Sequence, residues 1–169
     1  MDKRIEATLE RVYHAYFKEK KKKSISEIKV IDICKWAEIN KTTFYRHFRD
    51  IYDLADWAEN QLIEEMISHY QHMDQLLSHP EIYIEENMAI SQQYEEPLET
   101  LFDQRKYLMI SKIEEALVRK CEIENRTSYE THLIRFCIGG ASHIITGKQS
   151  KEEMEVSNQF LVNILKKLV

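Results

Sequence analysis

The sequence predicts an all-α protein, and three observations carry that expectation. Only three Gly and two Pro punctuate 169 residues, so signals for turns are sparse. Apolar residues recur at spacings of three and four along most of the chain, the period of an amphipathic helix. A composition of 43% hydrophobic and 31% charged residues provides both a core and a solvated surface, in a chain long enough for one large domain or a small domain fused to a larger one.

Taken in order, Ile5, Leu9, Val12, Tyr13, Tyr16 and Phe17 define the inner face of a first helix, which runs into a lysine-rich stretch at 18–23. Lysines there suit the negative end of the helix dipole. After a polar connection at 24–27, Val30, Ile33, Cys34 and Ala37 repeat the helical period over a stretch too short to hold without tertiary packing. Residues 38–40 break the pattern, and Asn40 is suited to cap a third helix over 41–48 that turns Phe44 and Phe48 inward, one turn apart. The second and third helices with their tight turn read as a helix-turn-helix. Asp50 then caps a long helix through Leu54, Trp57, Ala58, Leu62 and Met66, which joins the N-terminal part to the rest as a lever. Further helices are expected over 73–78, 81–94, 97–120, 128–146 and 151–168, with Pro80 and Pro97 each placed to begin one.

Charge divides the chain. Residues 1–50 hold 13 Lys and Arg against 8 Asp and Glu, whereas the remainder holds 11 against 21. A basic front and an acidic back suggest that the first part meets a polyanion while the second does something else. Cys34, Cys121 and Cys137 are odd in number, lack CxxC spacing and sit in apolar helical patterns, so they read as reduced core thiols. The charged stretch 1–10 is unlike a signal peptide, and no apolar run approaches the roughly 18 residues of a membrane-spanning helix. A cytoplasmic protein with no membrane partner is expected.

Enzymatic motifs are missing: the sequence has no Gly-rich phosphate loop, no GxSxG, no HExxH and no evidently activated Cys–His pair, so no catalytic residue and no cofactor is expected. His69 and His72 stand three apart on what reads as one helix face, near Glu65, Asp74 and His79. Solvated or capping histidines are the commoner meaning of such a pair, and no metal site is assigned.

The densest chemistry lies in INKTTFYRHFRDIYDL, residues 39–54. With Phe44 and Phe48 turned inward, the third helix presents Lys41, Thr42, Thr43, Tyr45, Arg46 and His47, nearly all donors able to reach phosphates or base edges. A helix that offers donors in this density suits a nucleic acid. Lys29, ahead of the second helix, is placed to reach a phosphate at the groove edge.

The segment IKVIDICKWAEINKTTFYRHF, residues 28–48, followed by Asp50 and Leu54, resembles the DNA-binding signature of TetR-type bacterial transcriptional regulators. Ile33, Ala37, the Thr43-Phe44-Tyr45 triplet, Phe48 and Leu54 carry the match. The resemblance implies a wholly helical homodimer whose third helices enter successive major grooves of a palindromic operator in double-stranded DNA. On that basis Lys41, Thr42 and, less regularly, Arg46 face base edges, while Thr43, Tyr45 and His47 hold the phosphate backbone. Three positions depart from the family's pattern. Glu38 stands where the turn usually has Gly, Lys29 where a Ser or Thr usually caps, and Ile51 where a phosphate-binding Lys is usual, which moves that contact to Arg49 or Tyr52 or removes it.

The expected organisation is therefore a helix-turn-helix DNA-binding domain at 1–50 and a C-terminal helical regulatory and dimerisation domain at 51–169. In the second, Leu133, Phe136, Cys137, Gly140, Ala141, Ile144 and Ile145 form one stripe and Val156, Phe160, Ile164, Leu165 and Leu168 another, with Gly139-Gly140 allowing close approach. The resemblance assigns dimerisation to about 131–169. Trp57, Met66, Tyr83, Phe102 and Tyr107, with Met73, Met88 and Met109 nearby in sequence, are aromatic and thioether side chains of the kind that line an adaptable apolar cavity, and core packing explains them equally well. The expected function is a dimeric repressor released from its operator by a small-molecule effector. The alternative is a TetR-like co-activator or assembly factor that acts through a protein partner.

Overall fold

The computed structural model describes residues 3–103, 105–121, 127–145 and 151–168, apart from the side chains of 141–145, 151, 154 and 168. Among the described residues the chain forms eight α-helices, two short 3-10 turns and no strand. The helices are α1 (Lys3–Lys20), α2 (Val30–Trp36), α3 (Lys41–His47), α4 (Ile51–Ser68), α5 (Pro80–Phe102), α6 (Lys106–Cys121), α7 (Ser128–Ile145) and α8 (Lys151–Leu168). Two compact units result: Met1–Leu62 with Pro97–Gln104, and Ile63–Glu96 with Arg105–Val169. The first unit thus extends past the expected boundary at Asp50, because the start of α4 packs with α1–α3.

The core of the first unit is built from the inward stripes the sequence marks. Tyr16 of α1, Ile33 of α2, Phe44 of α3, and Leu54 and Ala58 of α4 are fully excluded from water, as is Ala37 at the end of α2. Trp57 lies with its ring 5.3 Å from Phe48 and 6.3 Å from Tyr13, centroid to centroid. Helices of seven residues, as α2 and α3 are, hold their shape only through such packing.

Electrostatics fasten α2 to α1. The Glu19 carboxylate, in a residue only 6% exposed, accepts from the Trp36 indole N–H at 3.0 Å and from Lys23 Nζ at 2.6 Å. Lys18 Nζ sits 3.3 Å from the centre of the Trp36 ring, and Lys23 also lies 3.6 Å from Asp32. Much of the lysine-rich stretch is thus engaged in holding the fold. The Lys23 hydrogen bond, with help from Trp36, holds Glu19 below the ordinary carboxylate range. A depressed folded value means that the stabilisation is complete above the unfolded carboxyl's titration and is lost as the pH falls through the folded one. Acid titration below about pH 4 should therefore loosen α1 from α2, and Glu19→Gln should remove that part of the pH dependence, read from Trp36 fluorescence.

Glu38, between α2 and α3, adopts φ 53, the left-handed conformation that glycine takes most readily. The turn carries strain at this residue. Glu38→Gly is expected to stabilise the protein by about 0.5–1 kcal/mol in chemical denaturation, since a side chain in this region costs roughly 1 kcal/mol.

Two expectations about the later helices are corrected. Pro97 does not start a helix: α5 runs through it from Pro80 to Phe102. Tyr94, Leu98, Leu101 and Phe102 form a stripe buried on both sides of the proline, and that packing outweighs one missing backbone bond. The break falls instead at Asp103, also at φ 53, whose carboxylate lies 3.5 Å from Nζ of the buried Lys20. The stretch 73–78 is not a helix but a 3-10 turn, Met73–Gln75. Before it, the Glu86 carboxylate accepts from the N–H groups of Gln71 at 2.7 Å and His72 at 3.2 Å.

That loop also separates the two histidines. α4 ends at Ser68, so His69 and His72 do not share a helix face. His69 Nδ1 lies 2.9 Å from the Glu65 carbonyl oxygen and 3.2 Å from the Tyr94 hydroxyl, while His72 pairs with Glu86 at 3.2 Å. Among the described residues, no three His, Cys, Asp or Glu side chains gather as a metal site.

The second unit packs Leu76, Tyr83, Ile84, Leu117 and Ile138 into its core, with the rings of Tyr70 and Tyr83 stacked at 6.1 Å. The Tyr70 hydroxyl donates to Asn87 Oδ1 in a short bond. Lys120 Nζ donates to the Ile67 carbonyl at 2.6 Å, satisfying one of the last acceptors of α4. Cys34, Cys121 and Cys137 are all free and buried, and burial pushes the Cys137 thiol up to about 11. No helix among the described residues is long and apolar enough to cross a membrane.

The stripes of α7 and α8 divide into inward and outward residues. Cys137, Leu161 and Leu165 are buried within the unit, with Ile134 and Ile138 beside Cys137. Tyr129, Phe136, Val156 and Phe160 are 72, 66, 67 and 52% exposed. Leu133 and Ile164 are half-buried. The side chains of Ala141, Ile144, Ile145 and Leu168 lie outside the described residues. Gly139 faces Glu114, whose Oε1 lies 3.9 Å from where a Cβ would stand, whereas around Gly140 the space is open.

Candidate nucleic-acid interface

Helix α3 begins where a side chain replaces a missing backbone partner. Asn40 has extended backbone angles, φ −89 and ψ 163, and its side-chain oxygen accepts from the Thr43 N–H at 2.7 Å. Phe44, at 0% exposure, and Phe48, at 5%, anchor the helix from below with ring centres 5.6 Å apart. Their burial sets the helix's rotation, because residues three and four apart share a face. Lys41, Thr42, Tyr45 and Arg46 are consequently exposed, and Thr43 and His47 are half-buried at the edge of the same surface. Lys29 is exposed at the start of α2, where it precedes the helix in extended conformation and makes no side-chain cap.

The start of α4 frames the other end. Asp50 Oδ1 accepts from the N–H groups of Tyr52 and Asp53, each at 2.8 Å, so the cap read from the sequence forms. Ile51 is 7% exposed and belongs to the core. Arg49 has a side chain 87% exposed and is held by Asp53, which accepts from its backbone N–H at 2.8 Å and from its guanidinium at 3.1 Å. Those two donors, the backbone one first, hold the Asp53 carboxyl below its ordinary range. Tyr52 is 61% exposed. Sequence reasoning named Arg49 and Tyr52 only as substitutes for an expected lysine, and it missed Asp53, whose place four residues after Arg49 was the available signal.

The five residues singled out for a ligand cavity are less coherent. Trp57 and Phe102 belong to the first unit, Trp57 half-buried against Phe48 and Tyr13, and Phe102 fully buried. Met66 and Tyr83 are buried in the second unit, and Tyr107 is 85% exposed on α6 and encloses nothing. An open groove of about 440 Å³ between α6 and α7, lined by residues including Glu114, Val118, Arg119, Arg135 and Ile138, contains none of the five. Arg119 there pairs with Glu64 at 2.8 Å.

No protein-family model matches this chain, and no curated protein matches it closely enough to count as a relative.

Proposed function

We propose that this protein is a DNA-binding transcriptional regulator of the TetR type, a dimeric repressor whose α2–turn–α3 forms a helix-turn-helix. One observation carries the reading: α3 is capped by Asn40, anchored by Phe44 and Phe48, and turns Lys41, Thr42, Tyr45 and Arg46 to solvent. An α-helix with its side chains is about 10–12 Å across, a match to a major groove about 12 Å wide. In that pose Lys41, Thr42 and Arg46 meet base edges. Thr43, Tyr45, His47 and Lys29 meet phosphates, which set position and orientation.

The dimer is supported by the outward face of α7 and α8. Tyr129, Phe136, Val156 and Phe160 are large apolar side chains left exposed on these two helices, of the kind that a two-fold partner could cover. Two copies would place two reading helices on a palindromic site. A small-molecule effector that favours a dimer with mismatched head spacing would lower DNA affinity by shifting the population.

The test is fluorescence anisotropy with labelled duplexes across a salt series. Binding should weaken steeply as salt rises, the signature of counterion release. Lys41→Ala should cost about 1–3 kcal/mol on the preferred sequence and relax preference at one base pair. A loss equal on every sequence would remove Lys41 from the base-reading set.

A further inference from the structure

The open groove between α6 and α7 has an ordered chemistry along its length. Ser111, Glu114, Glu115, Val118 and Arg119 fall at helical spacing on one face of α6, and Arg135 and Ile138 line it from α7. Gly139 of α7 faces Glu114, and Arg135 stands one turn earlier on the same helix. Because α7 follows α6 after a short connection and returns beside it, that turn carries Arg135 toward the Val118 and Arg119 end. The groove is therefore anionic at Glu114 and Glu115 and cationic at Arg119 and Arg135, with Val118 on its wall between them and Ile138 closing its floor. Glu115, Arg119 and Arg135 are exposed and Glu114 is half-buried. Glu64 of α4 aims Arg119 by accepting from its Nη2 at 2.8 Å, and a guanidinium with five N–H donors keeps others for a ligand.

We infer that this groove binds a zwitterionic dipeptide, its carboxylate on Arg119 and Arg135, its ammonium on Glu114 and Glu115, and its backbone over Val118. Length decides the class. From Glu114 and Glu115 to Arg119 the helix rises four or five steps of 1.5 Å, about 6–7.5 Å. An extended dipeptide, at about 3.3–3.6 Å per residue, separates its terminal charges by about 7 Å. A single amino acid is too short to engage both ends, and a tetrapeptide overshoots them. Guanidinium and carboxylate pair bidentately, which fixes the ligand's direction in the groove. Binding is a property of the second unit alone; that the peptide acts as the effector rests on the DNA-binding reading above.

The experiment is calorimetric titration of the full chain, without DNA, with dialanine, its N-acetyl form, its C-terminal amide, free alanine and tetraalanine. Dialanine should bind with a dissociation constant of about 0.1–1 mM, as befits so small a ligand in an open groove. Blocking either terminus should weaken it about five- to tenfold, and free alanine and tetraalanine should bind as poorly as the blocked forms. Arg135→Gln should weaken dialanine but leave the amide, which has no carboxylate to lose, unchanged. Ser111→Trp, at an exposed position, should fill the groove and abolish binding of every probe, with thermal melting confirming that both variants stay folded. Absence of saturable heat at millimolar dialanine, or equal affinity for the free and blocked forms, would overturn the site. So would dialanine binding that survives both Arg135→Gln and Ser111→Trp. None of these outcomes bears on DNA binding, which the anisotropy series tests separately.

Discussion

Phe44→Ala is expected to cost about 3–5 kcal/mol and, under the proposed function, to abolish DNA binding, because the ring is the main anchor of α3. Phe44 has no exposure at all and touches Phe48 and Tyr45, the latter edge-on with ring centres 5.4 Å apart. Truncation leaves a cavity that a seven-residue helix, tethered by short turns on both sides, cannot close without losing its own hydrogen bonds. A loss of that size is a large fraction of the roughly 5–15 kcal/mol that stabilises a typical domain. Chemical denaturation gives the magnitude, and amide exchange over 41–48 shows whether α3 opens before the rest. A cost below about 1 kcal/mol, with α3 still protected, would mean that the anchor lies elsewhere.

The second large effect concerns assembly. If the proposed dimer forms through α7 and α8, Phe136→Glu combined with Phe160→Glu is expected to yield a folded monomer that has lost about two to four orders of magnitude of affinity for a palindromic site, the range over which linked binding exceeds separate binding. Both rings are more than half exposed, so charging them removes little packing within the subunit. In a dimer the same two carboxylates would be buried without partners, which no stable interface tolerates. Sedimentation gives the mass, and thermal melting at low concentration separates assembly from folding. An unchanged mass with a lowered melting temperature would show that α7 and α8 use these residues inside one subunit.

What could be read from the sequence was what is local. Asn40 and Asp50 declared themselves as caps because the rule needs only a short polar side chain before a helical period, and both accept the expected amides. Phe44 and Phe48 declared the inner face of α3 by their spacing. Glu38 was marked as a departure from glycine, and it takes the positive φ that glycine adopts most readily. The path of α5 was not legible, because Pro97 is a local stop signal and the buried stripe from Tyr94 to Phe102 that overrides it exists only in the packed fold. Neither was the division of the α7 and α8 stripes, since periodicity gives a face without naming its neighbour: Cys137 turned inward and Phe136, one residue before it, turned out. The cavity residues failed to separate for the same reason, as Tyr83 in a core and Tyr107 in solvent belong to one residue type.

The decisive measurement is selection of bound duplexes from a random pool by the purified protein at near-physiological salt. A dimeric DNA reader should enrich a palindrome with half-sites about one helical turn, roughly 34–36 Å, apart, and Lys41→Ala should lose that enrichment. A folded dimer that enriches no sequence would contradict the DNA-binding reading, and would turn attention to a regulator that works through a protein partner.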